Sequence, residues 1–202
     1  MIKVVESKFL TSAQGVEDSM PDGVSEVVFL GRSNVGKSSI INALVNKKGL
    51  AKSSSTPGKT RLINFFSVNF MKEKDLYIAR FVDLPGFGYA KVSKSMKNEW
   101  QKNLNDFLGR RSSIRLFIHL IDSRHRELQI DKDVDAYLKL LLRPDQKIVH
   151  IFTKADKLNQ KARSALRKDF PDSILVSSTK KSGIDKALET IFDSLFQEEK
   201  NL

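Results

Sequence analysis

Val27-Val28-Phe29-Leu30-Gly31-Arg32-Ser33-Asn34-Val35-Gly36-Lys37-Ser38 is the stretch that settles the architecture of this 202-residue chain. Its first four residues are apolar and bulky and stop at a glycine, as a short buried strand does. The next eight match GxxxxGK[ST], and helical spacing follows at Ile40, Ile41, Leu44 and Val45. A strand, a glycine-bearing turn and a helix in that order set successive backbone N–H groups around a phosphate, with the positive end of the helix dipole behind them. Lys37 is placed to reach the β and γ phosphates of a nucleotide, and the Ser38 hydroxyl to ligate Mg2+. The candidate phosphate-binding residues are Gly31, Arg32, Ser33, Asn34, Val35, Gly36, Lys37, Ser38 and Ser39.

Further along the chain, strands are expected at 62–70 and 76–82, joined by the polar turn Lys72-Glu73-Lys74-Asp75 and therefore antiparallel. Met96, Trp100, Leu104, Phe107 and Leu108 then recur at helix period. The apolar runs 116–121 and 148–152 read as parallel strands covered on both faces, with a shorter one at 174–176. Helical patterns separate them, and the last keeps Ile184, Ala187, Leu188, Ile191, Phe192, Leu195 and Phe196 on one face. This alternation predicts an α/β fold: a mainly parallel six-stranded sheet with one antiparallel edge strand and helices on both faces. Residues 1–21 read as a polar N-terminal extension and 22–202 as a single domain, with no repeat, low-complexity tract or linker dividing them.

There are 35 Lys and Arg against 24 Asp and Glu, a formal charge of +11, for which a polyanion is the natural partner. The excess is concentrated ahead of residue 127; residues 83–126 alone hold nine basic groups against four acidic. Zero cysteines exclude disulfides, thiolate metal sites and a cysteine nucleophile, which fits a reducing compartment. Lys3, Glu6 and Lys8 interrupt any secretory signal, and no run approaches the roughly 18 apolar residues of a membrane span, so the cytoplasm is the expected location.

A nucleoside triphosphatase needs a carboxylate at the end of a neighbouring strand to hold the metal through water, and a backbone N–H that senses the γ phosphate. Asp83-Leu84-Pro85-Gly86 offers both, after the strand ending at Val82 and 45 residues beyond Ser38. Between them Thr56-Pro57-Gly58-Lys59-Thr60 is a polar loop positioned to close over the nucleotide. Thr60 is the candidate second hydroxyl on Mg2+, with Thr56 as its rival. The strand at 148–152 runs into Thr153-Lys154-Ala155-Asp156, the [NT]KxD pattern of guanine-binding loops. An ionised Asp only accepts hydrogen bonds; guanine offers N1–H and N2–H donors where adenine offers no such pair. The aliphatic part of Lys154 would cover the base. Ser177-Ser178-Thr179-Lys180 follows the last strand, where a backbone N–H could meet guanine O6 or the side chains could simply cap a helix.

Taken together, GRSNVGKSS, TPGKT, DLPGFGYA, Asp122-Ser123-Arg124-His125 and TKAD resemble the translation-factor-like branch of the Ras-type GTPases, and more narrowly the EngB (YihA/YsxC) family of bacterial ribosome-assembly GTPases. The likeness covers about residues 22–197. It implies a cytoplasmic GTPase, monomeric and without membrane or DNA partners, that assists maturation of the large (50S) ribosomal subunit and is linked to cell division and septation. Lys37, Thr60, Asp83 and Gly86 would then serve hydrolysis. No appended RNA-binding domain of the kind found in Era-like relatives is expected.

Ras-type proteins place a glutamine after the DxxG glycine; here that position is Phe87, which cannot orient water, so slow intrinsic turnover is expected. Asn34 matches the asparagine that helps hold K+ in potassium-activated relatives, and is equally suited to a turn for its backbone tolerance. The three histidines lack zinc-ligand spacing along the chain: His119 and His150 fall within strands, while His125 lies between Arg124 and Arg126 in a loop that could face RNA. The expected ribosomal contact is basic surface between Lys91 and Arg126. The rival functions are a P-loop ATPase or kinase, which Asp156 disfavours, and a GTP-dependent RNA-binding module without hydrolysis.

Overall fold

The computed structural model describes residues 1–52, 62–87 and 94–196, with 94–101 described by their backbone alone. Within these spans the strands are β1 (Ile2–Ala13), β2 (Glu26–Gly31), β3 (Ile63–Lys72), β4 (Asp75–Asp83), β5 (Ile114–Asp122), β6 (Lys147–Thr153) and β7 (Ile174–Leu175). The helices are α1 (Lys37–Leu44), α2 (Lys94–Arg110), α3 (Gln129–Leu141), α4 (Gln160–Asp169) and α5 (Ile184–Phe196). One sheet runs β1-β3-β4-β2-β5-β6-β7. From β4 to β7 all neighbours are parallel, while β3 is antiparallel to both β1 and β4.

β2 is the middle strand and is buried along its whole length. Alternate side chains feed two cores, as the period of two demands. Val27 and Phe29 join Ile40, Leu44, Ile118, Ile191 and Phe192 beneath α1 and α5. Val28 and Leu30 join Phe65, Phe107, Phe117 and Leu138 beneath α2 and α3. The α/β class and the helices on both faces are as expected from sequence. So is the hairpin, whose turn puts Glu73 at φ 58° between the paired Lys72 and Asp75.

Two details of the expected sheet are corrected. It has seven strands, not six, and the antiparallel strand β3 is not its edge. Residues 2–13, read from sequence as part of a polar extension, form the edge strand β1, registered from Ile2 opposite Lys72 to Ala13 opposite Ile63. An edge strand buries few of its side chains, so Lys3, Glu6 and Lys8 sit exposed on it and hide the strand pattern; such charges also discourage pairing with another chain. In α2, Phe107 and Leu108 are buried as their period predicts, whereas the side chains of Met96 and Trp100 lie outside the described residues.

At the end where the parallel strands begin, Glu26 is completely buried and accepts from Arg111 Nε at 2.5 Å and Nη2 at 2.7 Å. Arg80 lies 3.4 Å from the same carboxylate. The Arg111 guanidinium also lies over Phe65 and Phe107, 5.1 and 5.3 Å from their ring centroids. Removing one partner of such a pair strands the other charge in the core. Glu26→Ala should therefore lower stability by about 3–5 kcal/mol in urea unfolding at neutral pH. A loss below about 1 kcal/mol, the range of exposed pairs, would show that Arg111 finds compensation elsewhere.

Candidate functional site

Five loops follow the carboxyl ends of β2, β4, β5, β6 and β7, the edge of an α/β sheet where ligands bind. The first is the turn after β2. Gly36, at φ 101°, precedes α1, and no side chain caps that helix and no acidic residue occupies its first turn, so its N–H groups face an anion site unopposed. Gly31 is required by space, because a Cβ there would come 2.8 Å from the Leu120 carbonyl oxygen. Asn34 is exposed with φ 62°, a left-handed conformation that asparagine tolerates better than most residues. Arg32 and Ser33 are half-buried, Val35 is buried in the core and Ser39 is exposed.

The loop after β4 lies directly against this turn. Ser33 N–H donates to the Phe87 carbonyl (3.1 Å) and Phe87 N–H to the Gly31 carbonyl (3.2 Å). A Cβ on Gly86 would meet Ser33 Oγ at 3.0 Å and its backbone N and Cα at 3.1 Å, so this glycine permits the close approach. Leu84 and Pro85 are buried between Asp83 and Gly86. The Ser33 hydroxyl is itself buried with no partner among the described residues, as suits a cradle for an anion.

Lys37 Nζ pairs with Asp83, and both side chains are largely buried. Burial pushes the Asp83 carboxyl above its usual range, against the opposing pull of Lys37 and Asn64. Ser38 Oγ is only loosely engaged, 3.4 Å from the Lys52 carbonyl. A carboxylate and a hydroxyl are hard-oxygen donors of the kind Mg2+ selects, so the described donors fit that ion. Thr56, Gly58, Lys59 and Thr60 lie outside the described residues.

The loop after β6 is fastened to the phosphate turn by two side chains. Thr153 Oγ1, fully buried, donates to the Val35 carbonyl at 2.7 Å. Lys154, at φ 56°, stretches its Nζ to the Asn34 carbonyl (2.7 Å) and to Asp122 (2.9 Å). The Thr153 hydroxyl is thus committed to joining the loops. Lys154 reaches from its own loop to the phosphate turn and to the end of β5. Ala155 is buried, its N–H held by the Val176 carbonyl, and Asp156 projects beyond it. Ser177 Oγ donates to Asp156 at 2.6 Å, and that bond holds the Asp156 carboxyl below its usual range, so it is an acceptor at neutral pH.

The loop after β7 corrects one expectation. Ser177 is buried, with its N–H donating to the Ser182 carbonyl, so a backbone donor toward a purine O6 would come from Ser178 or Thr179. The turn closes on Gly183 at φ 76°, where a Cβ would stand 2.1 Å from the Leu175 carbonyl oxygen.

Asp122 is the site residue that motif reading did not single out. Its carboxylate receives Arg124 Nε at 2.9 Å and Nη2 at 2.7 Å as well as Lys154. Burial works to raise this carboxyl, but Arg124 and Lys154 outweigh it and hold it far below the ordinary carboxylate range. In the sequence it figured only within the Asp122-Ser123-Arg124-His125 stretch, at the end of a strand, with no role of its own.

Of the expected basic surface between Lys91 and Arg126, Lys91 and the side chains of Lys94 and Lys97 lie outside the described residues, and Lys102 is exposed. Arg111 is buried against Glu26, which removes it from any surface. Arg110, Arg115, Arg124 and Arg126 pair with Glu17, Asp145, Asp122 and Asp169. By contrast α4 presents Lys161, Arg163, Arg167 and Lys168, all exposed, against Asp169 alone. No helix among the described residues is long and apolar enough to cross a membrane.

A sheet in this order, with a glycine-bearing phosphate turn after β2 and a TKAD loop pinned to it, defines a Ras-like P-loop GTPase. The model of the "50S ribosome-binding GTPase" family matches residues 26–154. The "Probable GTP-binding protein EngB" of Aliarcobacter butzleri is 57% identical over 96% of this chain and 98% of its own length. Its counterpart in Campylobacter jejuni is 55% identical over 94% of this chain and 96% of its own. The crystal structure of a probable GTP-binding protein EngB shares the fold with a TM-score of 0.59 at 21% identity, covering 86% of this chain and 99% of that one. The chain belongs to the EngB family of GTP-binding proteins and is a GTPase.

Because its carboxyl is depressed on folding, Asp122 contributes stability that is present above its unfolded pKa of about 3.9 and is lost as pH falls toward the folded value. Asp122→Asn should cost about 1.5–3 kcal/mol at pH 7, the range for hydrogen bonds to a charged group. The difference from wild type should shrink below about pH 4 in urea unfolding across pH. A pH-independent difference would show that the charge of Asp122 is not what holds the loops.

Proposed function

We propose that this protein is a cytoplasmic GTP-hydrolysing switch in assembly of the large ribosomal subunit. What supports the guanine reading is the pair of bonds from Lys154 and Thr153 that ties the Asp156 loop to the phosphate turn, together with the Ser177 bond that keeps Asp156 an ionised acceptor. Asp156 would accept from guanine N1–H and N2–H, Lys154 would cover the base, and Ser178 or Thr179 would donate to O6. The family description supports a large-subunit partner, and the net charge of +11 suits ribosomal RNA.

Gly31 to Ser39 would wrap the phosphates with backbone N–H groups. Lys37 would leave Asp83 for the β and γ oxygens, freeing that carboxylate to face the metal's water. Mg2+ would be held by Ser38, by Thr60 and through water by Asp83; when bound it neutralises charge developing on the phosphates. Gly86 would turn its N–H toward the terminal phosphate while its missing Cβ keeps Ser33 close. Phe87 offers no group to orient water, so basal turnover is slow and the ribosomal particle, or K+ beside Asn34, supplies what is missing. The exposed cations of α4 extend the surface available to RNA beyond that between Lys91 and Arg126.

Asp156→Asn should weaken GTP binding by at least about a hundredfold, since the amide turns a donor toward guanine's donors, and should favour xanthosine triphosphate instead. Unchanged preference between the two nucleotides in a binding titration would overturn the guanine reading. Sedimentation with large ribosomal subunits should be stronger with a non-hydrolysable GTP analogue than with GDP and should fall steeply with added salt. Equal sedimentation in both nucleotide states would rule out a switch.

A further inference from the structure

We propose that α3 and the adjoining strands β5 and β6 hold a divalent transition-metal ion, zinc by donor type, between His119, His150 and Asp135, beside the buried Asp131. The two histidines are 31 residues apart in the chain but stand directly opposite each other in the parallel register of β5 and β6, with ring centroids 5.6 Å apart. The two aspartates are four residues apart on α3 and so share the face that meets them. One ligand atom from each of His119, Asp135 and His150 lies within 4.8 Å of the others.

What points to a ligand is the state of the two innermost side chains. His119 is completely buried, and neither ring nitrogen has a hydrogen-bond partner among the described residues. Asp131 is 3% exposed, and neither carboxylate oxygen has one there. Buried polar atoms are rarely left so, because each forfeits its hydration without return. His119 Nε2 and Asp131 Oδ1 are 3.8 Å apart, beyond a hydrogen bond. Asp131 is not one of the three residues whose ligand atoms lie together, so it stands beside His119 as an outer carboxylate; a zinc tetrahedron with bonds of 2.0–2.1 Å has an edge of about 3.3 Å.

The outer pair completes the arrangement. His150 Nε2 lies 2.6 Å from Asp135 Oδ1, a hydrogen bond that must open by about 0.7 Å to admit an ion of that bond length. Lys139 holds the other oxygen, Oδ2, at 2.7 Å, the kind of outer bond that orients a ligating carboxylate. His150 and Asp135 are 30% and 21% exposed, which gives an ion access from solvent. Two imidazoles and one carboxylate, with solvent at the fourth position, suit Zn2+ and disfavour Mg2+ and Ca2+, which take oxygen ligands. Bound there, the ion would clasp α3 to the sheet next to Phe87, whose ring centroid is 6.2 Å from that of His119.

The test is titration of the full chain with Zn2+ in millimolar Mg2+, which saturates the hard-oxygen donors of Ser38 and Asp83, together with the absorption spectrum of the Co2+ form. One tight equivalent of Zn2+ and the intense visible bands of tetrahedral Co2+ are expected. His150→Gln and Asp135→Asn, chosen because both side chains are partly exposed, should each weaken Zn2+ by at least about tenfold, with folding checked by circular dichroism. The cobalt spectrum of the unaltered protein decides the matter should either variant fail to fold. Zinc displaced by Mg2+, a weak octahedral cobalt spectrum, or unchanged affinity in both folded variants would overturn the proposal and leave a bare histidine–aspartate cluster.

Discussion

Two side chains of the β6 loop satisfy two carbonyls of the β2 loop: Thr153 that of Val35, and Lys154 that of Asn34. Everything else at this edge follows from that join. Backbone carbonyls in a tight phosphate turn cannot bond one another, and the turn must keep its N–H groups turned outward toward an anion. Supplying the missing donors from the neighbouring loop fixes the distance between the part of the site suited to phosphates and the part suited to a base. Asp122 sits beneath the join as its counter-charge, held by Arg124 and Lys154 at once. Gly86 lets the β4 loop close on the same turn from its other side.

Opposite ends of the sheet use buried charge differently. Glu26 and Arg111 are matched by a two-pronged bond and enclosed by aromatic rings, a geometry that leaves neither group free to do anything but hold β2 to the chain after α2. Asp83 and Lys37 are also paired and buried, yet burial outweighs the lysine's pull on the carboxyl. The protein thus places its satisfied ion pair where strands begin and its contested one where they end.

Most of the fold was legible because its signals are local. A buried strand stopped by glycine, a hairpin of fixed length and a helix with one apolar face each fall within a dozen residues, and β2, the β3–β4 hairpin and α5 lie where those patterns put them. β1 was not legible, since an edge strand bears exposed lysines and a glutamate that imitate a tail. The same limit governs the site. GRSNVGKS and TKAD announce themselves in sequence, whereas the role of Asp122 and the commitment of Ser177 N–H to Ser182 depend on partners brought in by folding. His119 and His150 show the limit most plainly: nothing in their spacing along the chain reveals that parallel register makes them neighbours.

The placement of β1 also decides where a tether can be attached. Ile2 is paired with Lys72, beside the hairpin tip, and β4 runs from there to Asp83 over nine residues, about 27 Å of extended chain. A fluorophore or solid support joined ahead of Met1 therefore emerges at the pole remote from the nucleotide loops. Immobilised in that orientation, the molecule keeps its ligand-facing rim open to the medium.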